Sequence, residues 1–196
     1  LIKGKKGFTL LEVMIVVAII GALAAFAVPR LFRKDTGNIK SVARHFIVLS
    51  KSIRDKARLS NSTYRLVVNM DEGANTYWVE KANRVVLVDP NEAEKAKDRK
   101  DDKDAPPPAF QIDKSVFKKE KTLPGTLRFA SLETINMKAP QTTGTAYIYF
   151  FPEGMVEAST LQVTNGNNLT WTLVFNPLTG QADIVQKAQS LKDIRR

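Results

Sequence analysis

From Phe8 to Val28 the chain carries one charge, Glu12, in 21 otherwise apolar or small residues. A helix of that length reaches roughly 30 Å at about 1.5 Å per residue, the thickness of a bilayer core. The run therefore predicts a membrane span, with everything able to fold in water placed after it. A cleaved secretory signal fits less well, because its apolar core is about 7 to 15 residues long and ends in small residues, whereas this run ends in Pro29, Arg30, Leu31 and Phe32. An ordinary anchor fits the length but gives no reason for Glu12, since a carboxylate inside the run costs about 2.5 to 3.5 kcal/mol on insertion scales. A buried soluble helix would rarely be apolar on all faces for about six turns.

The residues around that run match a family. KGFTLLEVMIVVAIIGALAAFAVP, behind a basic leader with Lys3, Lys5 and Lys6, resembles the class III leader and N-terminal helix of type IV pilins and of the pseudopilins of type II secretion. The resemblance implies that a prepilin peptidase cuts between Gly7 and Phe8 on the cytoplasmic side and that Phe8 is then N-methylated. It also implies that Glu12 pairs with the N-terminal amine of a neighbouring subunit as helices pack into a fibre. An amine and a carboxylate attract far more strongly in a low-dielectric bundle than in water, and either alone is penalised there. Glu12 would thus register one helix against the next, although pairing with its own amine stays open. Gly7, Phe8, Thr9, Leu10, Glu12 and Pro29 all fall where the family has them.

The 196 residues are enough for a span and one domain of ordinary size. The expected division is a leader at 1–7, a membrane and fibre-core helix at 8–29, an amphipathic helix at 30–60, a β-rich domain at 61–186 and a basic tail at 187–196. Leu1 as first residue fits a missing initiator or a non-standard start codon, and nothing below depends on which. With no cysteine, the domain relies on packing, and thiolate metal sites are excluded. The formal charge is +10, and +7 without Lys3, Lys5 and Lys6. Flanking charge does not orient the span, since Arg30, Arg33 and Lys34 answer the leader lysines. The cytoplasmic N-terminus and periplasmic domain come from the resemblance.

Beyond Pro29, where a kink is predicted, the pattern becomes one-sided. Ile39, Val42, Ala43, Phe46, Leu49, Ile53 and Ala57 recur at three- and four-residue spacing while Lys40, Arg44, Lys51 and Lys56 lie mostly elsewhere on the wheel. Asp35, Thr36, Gly37 and Asn38 are able to break the helix, so an interruption is expected around Gly37. His45, the lone histidine, has no cysteine or clustered carboxylate near it in sequence and is given no role.

From Thr63 the period changes to two. Strands are predicted at 64–69, 76–81 and 84–88 as a meander, then at 126–130, 146–151, 160–164, 169–175 and 182–185, with turns at 165–168 and 176–180. Between the two groups, NEAEKAKDRKDDKDAPPP closes a densely charged insertion at 89–108. Its Asp98, Asp101, Asp102 and Asp104 could ligate calcium, but interleaved lysines and arginines and the lack of a glycine favour a solvated insertion. No metal or cofactor site is predicted. In 168–176 the residues Leu169, Trp171, Leu173 and Phe175 alternate with polar ones, so one face is buried.

The order YIYFFPEG, strand, hairpin, LVFNPLTGQADI is similar to the C-terminal signature of the H-type minor pseudopilins and the related FimT-like minor pilins. The fold implied is α+β, a long N-terminal helix packed on antiparallel sheets. The function implied is that of a minor pseudopilin near the tip of a type II secretion pseudopilus, which helps export folded proteins across the outer membrane. Its partners would be other pseudopilins in a mixed fibre, the prepilin peptidase and N-methyltransferase, inner-membrane lipid and, at most, the secreted substrate. No catalytic motif appears, so a non-enzyme is expected. The alternative is a minor type IV pilin for pilus assembly or DNA uptake. Lys187, Lys192, Arg195 and Arg196 could then meet phosphates, against the plainer reading of a solvated terminus.

Overall fold

The computed structural model describes residues 10–83, 86 and 108–194, with 24–37 given as helix backbone alone. They form a 50-residue helix α1 (Leu10–Leu59), then β1 (Tyr64–Asn69), β2 (Thr76–Ala82), β3 (Phe110–Ile112), β4 (Lys121–Thr122), β5 (Arg128–Thr134), β6 (Thr145–Phe150), β7 (Ser159–Thr164), β8 (Thr170–Phe175), β9 (Ala182–Val185) and a single helical turn α2 (Leu191–Ile194). All described strand pairs are antiparallel. One sheet has the order β3-β2-β1-β6, with β4 also on β2, and the other β5-β7-β8-β9.

The predicted stripe on α1 is the face that meets the sheets. Ile39, Phe46, Ile53 and Ala57 are fully buried and Val42, Ala43 and Leu49 nearly so, in one core with the inner faces of both sheets. The helix touches β1 and β6 of the first sheet and β8 and β9 of the second. Each large side chain so buried contributes about 1.5–3 kcal/mol of transfer free energy, and this packing, more than helix propensity, holds the half from residue 38 to 59 in place. Phe46 is its centre, 4.9 Å from the Tyr77 ring and 6.1 Å from that of Phe129.

The interruption predicted around Gly37 is not present. The backbone is helical through Asp35, Thr36, Gly37 and Asn38, and through Pro29, so any bend at the proline leaves one helix. A mid-helix glycine costs about 1 kcal/mol relative to alanine, too little to break a helix whose packed face begins two residues later.

The strands depart from expectation chiefly at β3, β4 and β5. The short β3 and β4 were not predicted, β5 runs 128–134 rather than 126–130, and most of the strand expected at 84–88 lies outside the described residues. So does the charged insertion 89–108, apart from Pro108. The first sheet also has a second apolar layer on the face away from α1, built from Val67, Ala82, Ala109, Phe110, Tyr147 and Tyr149. There the Arg65 guanidinium lies between the rings of Phe110 and Tyr147, at 4.0 and 3.9 Å, and pairs with Glu80 at 2.6 Å.

Candidate assembly interface

Among the described residues, nothing buries α1 from Leu10 to Leu23. Every large apolar side chain from Leu10 to Leu23 is exposed, the least of them, Val16, at 47%. An apolar surface that faces water on all sides is unstable alone and needs lipid or other helices. Glu12 is the acidic residue in the first turn, where the helix dipole favours a carboxylate. Gly7 and Phe8, the predicted cleavage and methylation site, lie outside the described residues. Among the described residues no helix is long and apolar enough to cross a membrane; the apolar side chains described cover 10–23, short of the roughly 20 residues a span needs.

At its other end α1 is fastened to the two turns that the sequence singles out. The Ser50 hydroxyl donates to the Gly180 carbonyl at 2.9 Å in a buried position, and Arg54 Nη1 donates to the Thr179 carbonyl. The Arg58 stem lies over Gly154, where an added Cβ would meet its Cδ at 2.9 Å. The turns also touch each other, the Val156 N–H donating to the Pro177 carbonyl at 3.1 Å. Gly154 and Gly180 both have positive φ, at 88° and 63°. Asn176 shapes the second turn, its Oδ1 accepting from the Leu178 and Thr179 N–H groups. FPEG and NPLTG are thus one structural unit that sets where the helix ends against the sheets. Sequence reasoning missed the helix side of it: Ser50, Arg54 and Arg58 recur every four residues along one flank of the helix, but polar residues at that spacing are equally what a solvated flank carries.

The described part of the basic tail is held through its backbone while its lysines stay exposed. The Thr172 hydroxyl donates to the Lys187 carbonyl at 2.7 Å and accepts from the Gln189 N–H at 3.1 Å. Gln162 Nε2 donates to the Gln189 carbonyl, and the Leu191 N–H donates to the buried Glu133 carboxylate at 2.8 Å. Ser190 and Asp193 bond to one another across the start of α2. Lys187 and Lys192 point their charges to solvent, and Arg195 and Arg196 lie outside the described residues.

Glu157 and His45 are among the titratable groups with shifted equilibria. Burial raises the pKa of Glu157, partly offset by hydrogen bonds from Thr134, Asn136 and the Tyr149 backbone. Burial, with Lys121 nearby, lowers that of His45, whose ring meets those of Phe46, Tyr77 and Phe117 at 5.9–6.1 Å. Among the described residues, neither group faces a second acid, base or nucleophile in an arrangement suited to proton or acyl transfer. A groove of about 590 Å³ between the β1–β2 turn and the start of β5 is lined by Asp71, Glu72, Asn75, Arg128, Thr142 and Thr143. Among the described residues no group of three His, Asp or Glu could hold a metal.

Comparison with known proteins bears on both halves. The prokaryotic N-terminal methylation motif matches residues 2–28. The structure of the minor pseudopilin EpsH from the type 2 secretion system of Vibrio cholerae superposes with a TM-score of 0.51 at 15% identity, covering 77% of this chain and 97% of that one. The chain carries a prepilin methylation motif and a pseudopilin fold. The chain is also similar to type II secretion system core protein G of Klebsiella michiganensis, 38% identical over 63 residues, and of Vibrio cholerae, 41% identical over 61 residues. Those matches cover 32% and 31% of this chain and 44% and 41% of the relatives, so the chain aligns with less than half the length of either.

Proposed function

We propose that this protein is a structural, non-catalytic subunit of a type II secretion pseudopilus, of the H-type minor class. It is made as a precursor in the inner membrane, held by 8–28 with its β domain in the periplasm. Cleavage between Gly7 and Phe8 and methylation of Phe8 prepare it for the fibre, where Glu12 meets a neighbour's N-terminal amine. Near the tip it primes the pseudopilus that moves folded proteins outward. The observation that carries this reading is the joining, in one helix, of an exposed run from Leu10 to Leu23, apolar but for Glu12 and lying within a methylation motif, to a half that packs on two antiparallel sheets. The H-type assignment is supported by a likeness that extends over 97% of the EpsH chain, whereas the similarity to core protein G is confined to about 60 residues. The experiment is the intact mass of the protein from its native membrane, alongside Gly7→Ala and a host without prepilin peptidase. A mass starting at methylated Phe8, lost in both controls, is expected. A mass that retains residues 1–7 in an active host would refute the fibre reading.

A further inference from the structure

The half of α1 that packs on the sheets has an opposite face, and its charge is one-sided. From 38 to 59 the sequence holds Lys40, Arg44, Lys51, Arg54, Lys56 and Arg58 against one carboxylate, Asp55. Arg54 takes Asp55 at 3.2 Å, and Lys56 turns to Asp113 and Ser115 on the domain. The remaining four, Lys40, Arg44, Lys51 and Arg58, are exposed and, among the described residues, make no ion pair. At 100° per residue they fall within about 40° of one another, a straight stripe about 27 Å long. Val48, 68% exposed, lies beside it.

A helix face meant only for water alternates its charges, because Glu and Lys at i, i+4 support each other and like charges there cost about 0.2–0.5 kcal/mol. Here Lys40 and Arg44 are such a like pair, with no acid three or four residues from either. We propose that this stripe is a docking surface for a different pilin-type subunit whose apposed face carries carboxylates, and that it disfavours a second copy of this chain apposed through the same face. The inference rests on the fibre reading above. Two copies apposed through this face would bring four cations against four. Lipid phosphates are a poor match under that reading. The apolar run ends at 28, so Lys40 to Arg58 stand about 18–45 Å farther along the helix, while the headgroup layer is only about 5–8 Å deep.

The test uses the full chain in its native host with a photo-crosslinking residue at Val48, in the wild type and in Arg44→Glu/Lys51→Glu. The expected result is a crosslink to an acid-bearing segment of another processed pilin-type subunit, reduced at least tenfold by the double reversal. Changing the partner's carboxylates near the crosslink to lysine should restore it. A crosslink to a second copy, to phospholipid or to DNA, no crosslink at all, or a yield indifferent to the reversal would overturn the inference. The mass at methylated Phe8, measured on the same samples, separates this failure from that of the fibre reading, and unchanged mass and abundance of the double variant exclude misfolding as the cause.

Discussion

Gly180→Ala should show whether the turn at 176–180 truly locks the helix to the sheets. Two costs add at this position. At a φ of 63° an alanine is in the left-handed region, at about 1–2 kcal/mol. Its Cβ would also collide with Arg54 Cδ and approach the Gly154 carbonyl oxygen at 3.1 Å. Displacing Arg54 from the Thr179 carbonyl and crowding backbone adds roughly 1–3 kcal/mol. The total is about 2–5 kcal/mol. Gly73→Ala provides the control, because its φ of 81° is similar but nothing lies within 4 Å of an added Cβ, so only the first cost applies. The measurement is urea unfolding of the full chain in detergent, followed by fluorescence of the tryptophans, of which Trp171 is buried in β8. Gly180→Ala should lose 1 kcal/mol or more beyond Gly73→Ala, and the excess should shrink in an Arg54→Ala background. Equal losses at the two glycines, or a cycle with no coupling to Arg54, would refute the clamp.

Three further outcomes follow from buried groups. Phe46→Ala, at the fully buried centre of the helix face, should cost about 3–5 kcal/mol in the same unfolding assay. Thr172→Val strands the Lys187 carbonyl and Gln189 N–H, a loss of about 1–3 kcal/mol, and should speed amide exchange and tryptic cleavage in 187–194 before it affects the sheets. Because the folded pKa of Glu157 is raised, the native state binds the extra proton between 4.5 and that pKa. Its contribution is fully present below pH 4.5 and is lost as pH rises through the folded value; Glu157→Gln should flatten that slope and gain stability over the wild type at pH 7 but not at pH 4.

The parts of this fold that could be read in advance are those whose periodicity survives packing. The stripe from Ile39 to Ala57 obeys the helical period because a single face meets the sheets. Strands β1, β2 and β6–β9 alternate or cluster apolar residues over six or seven positions, or four in β9, next to a recognisable turn. The period fails where the backbone departs from it. In β5 a bulge between Phe129 and Ser131 shifts the register, so Phe129 and Leu132, three apart, are both buried and no period of two spans the strand. β3 and β4, at three and two residues, are too short to show any period. Thr172 is one of the polar residues alternating with the apolar face of β8, but the tail lies over it and buries it completely; a segment arriving from beyond β9 leaves no mark on the strand it covers. The same limit hid the clamp, whose Ser50 and Gly180 are 130 residues apart. The turn sequences announced themselves through proline and glycine, whereas Ser50, Arg54 and Arg58 were only polar residues on a helix.

The continuity of α1 through Gly37 ties the two halves together. On a helix of 3.6 residues per turn, Glu12 and Val48 are ten turns apart and fall on the same side. The basic stripe lies within about 40–80° of that side, and the centre of the face that packs on the sheets is about 160° away. So the carboxylate proposed to register the fibre core and the cations proposed to select a neighbour share the side that the domain leaves open. The clamp at Ser50, Arg54 and Arg58 fixes the rotation of the helix against its domain, and an unbroken backbone carries that rotation down to residue 12. A break at Gly37 would have let each half turn independently. A single helix instead makes the choice of neighbour above the membrane and the pairing of charges within it two readings of one rotational setting.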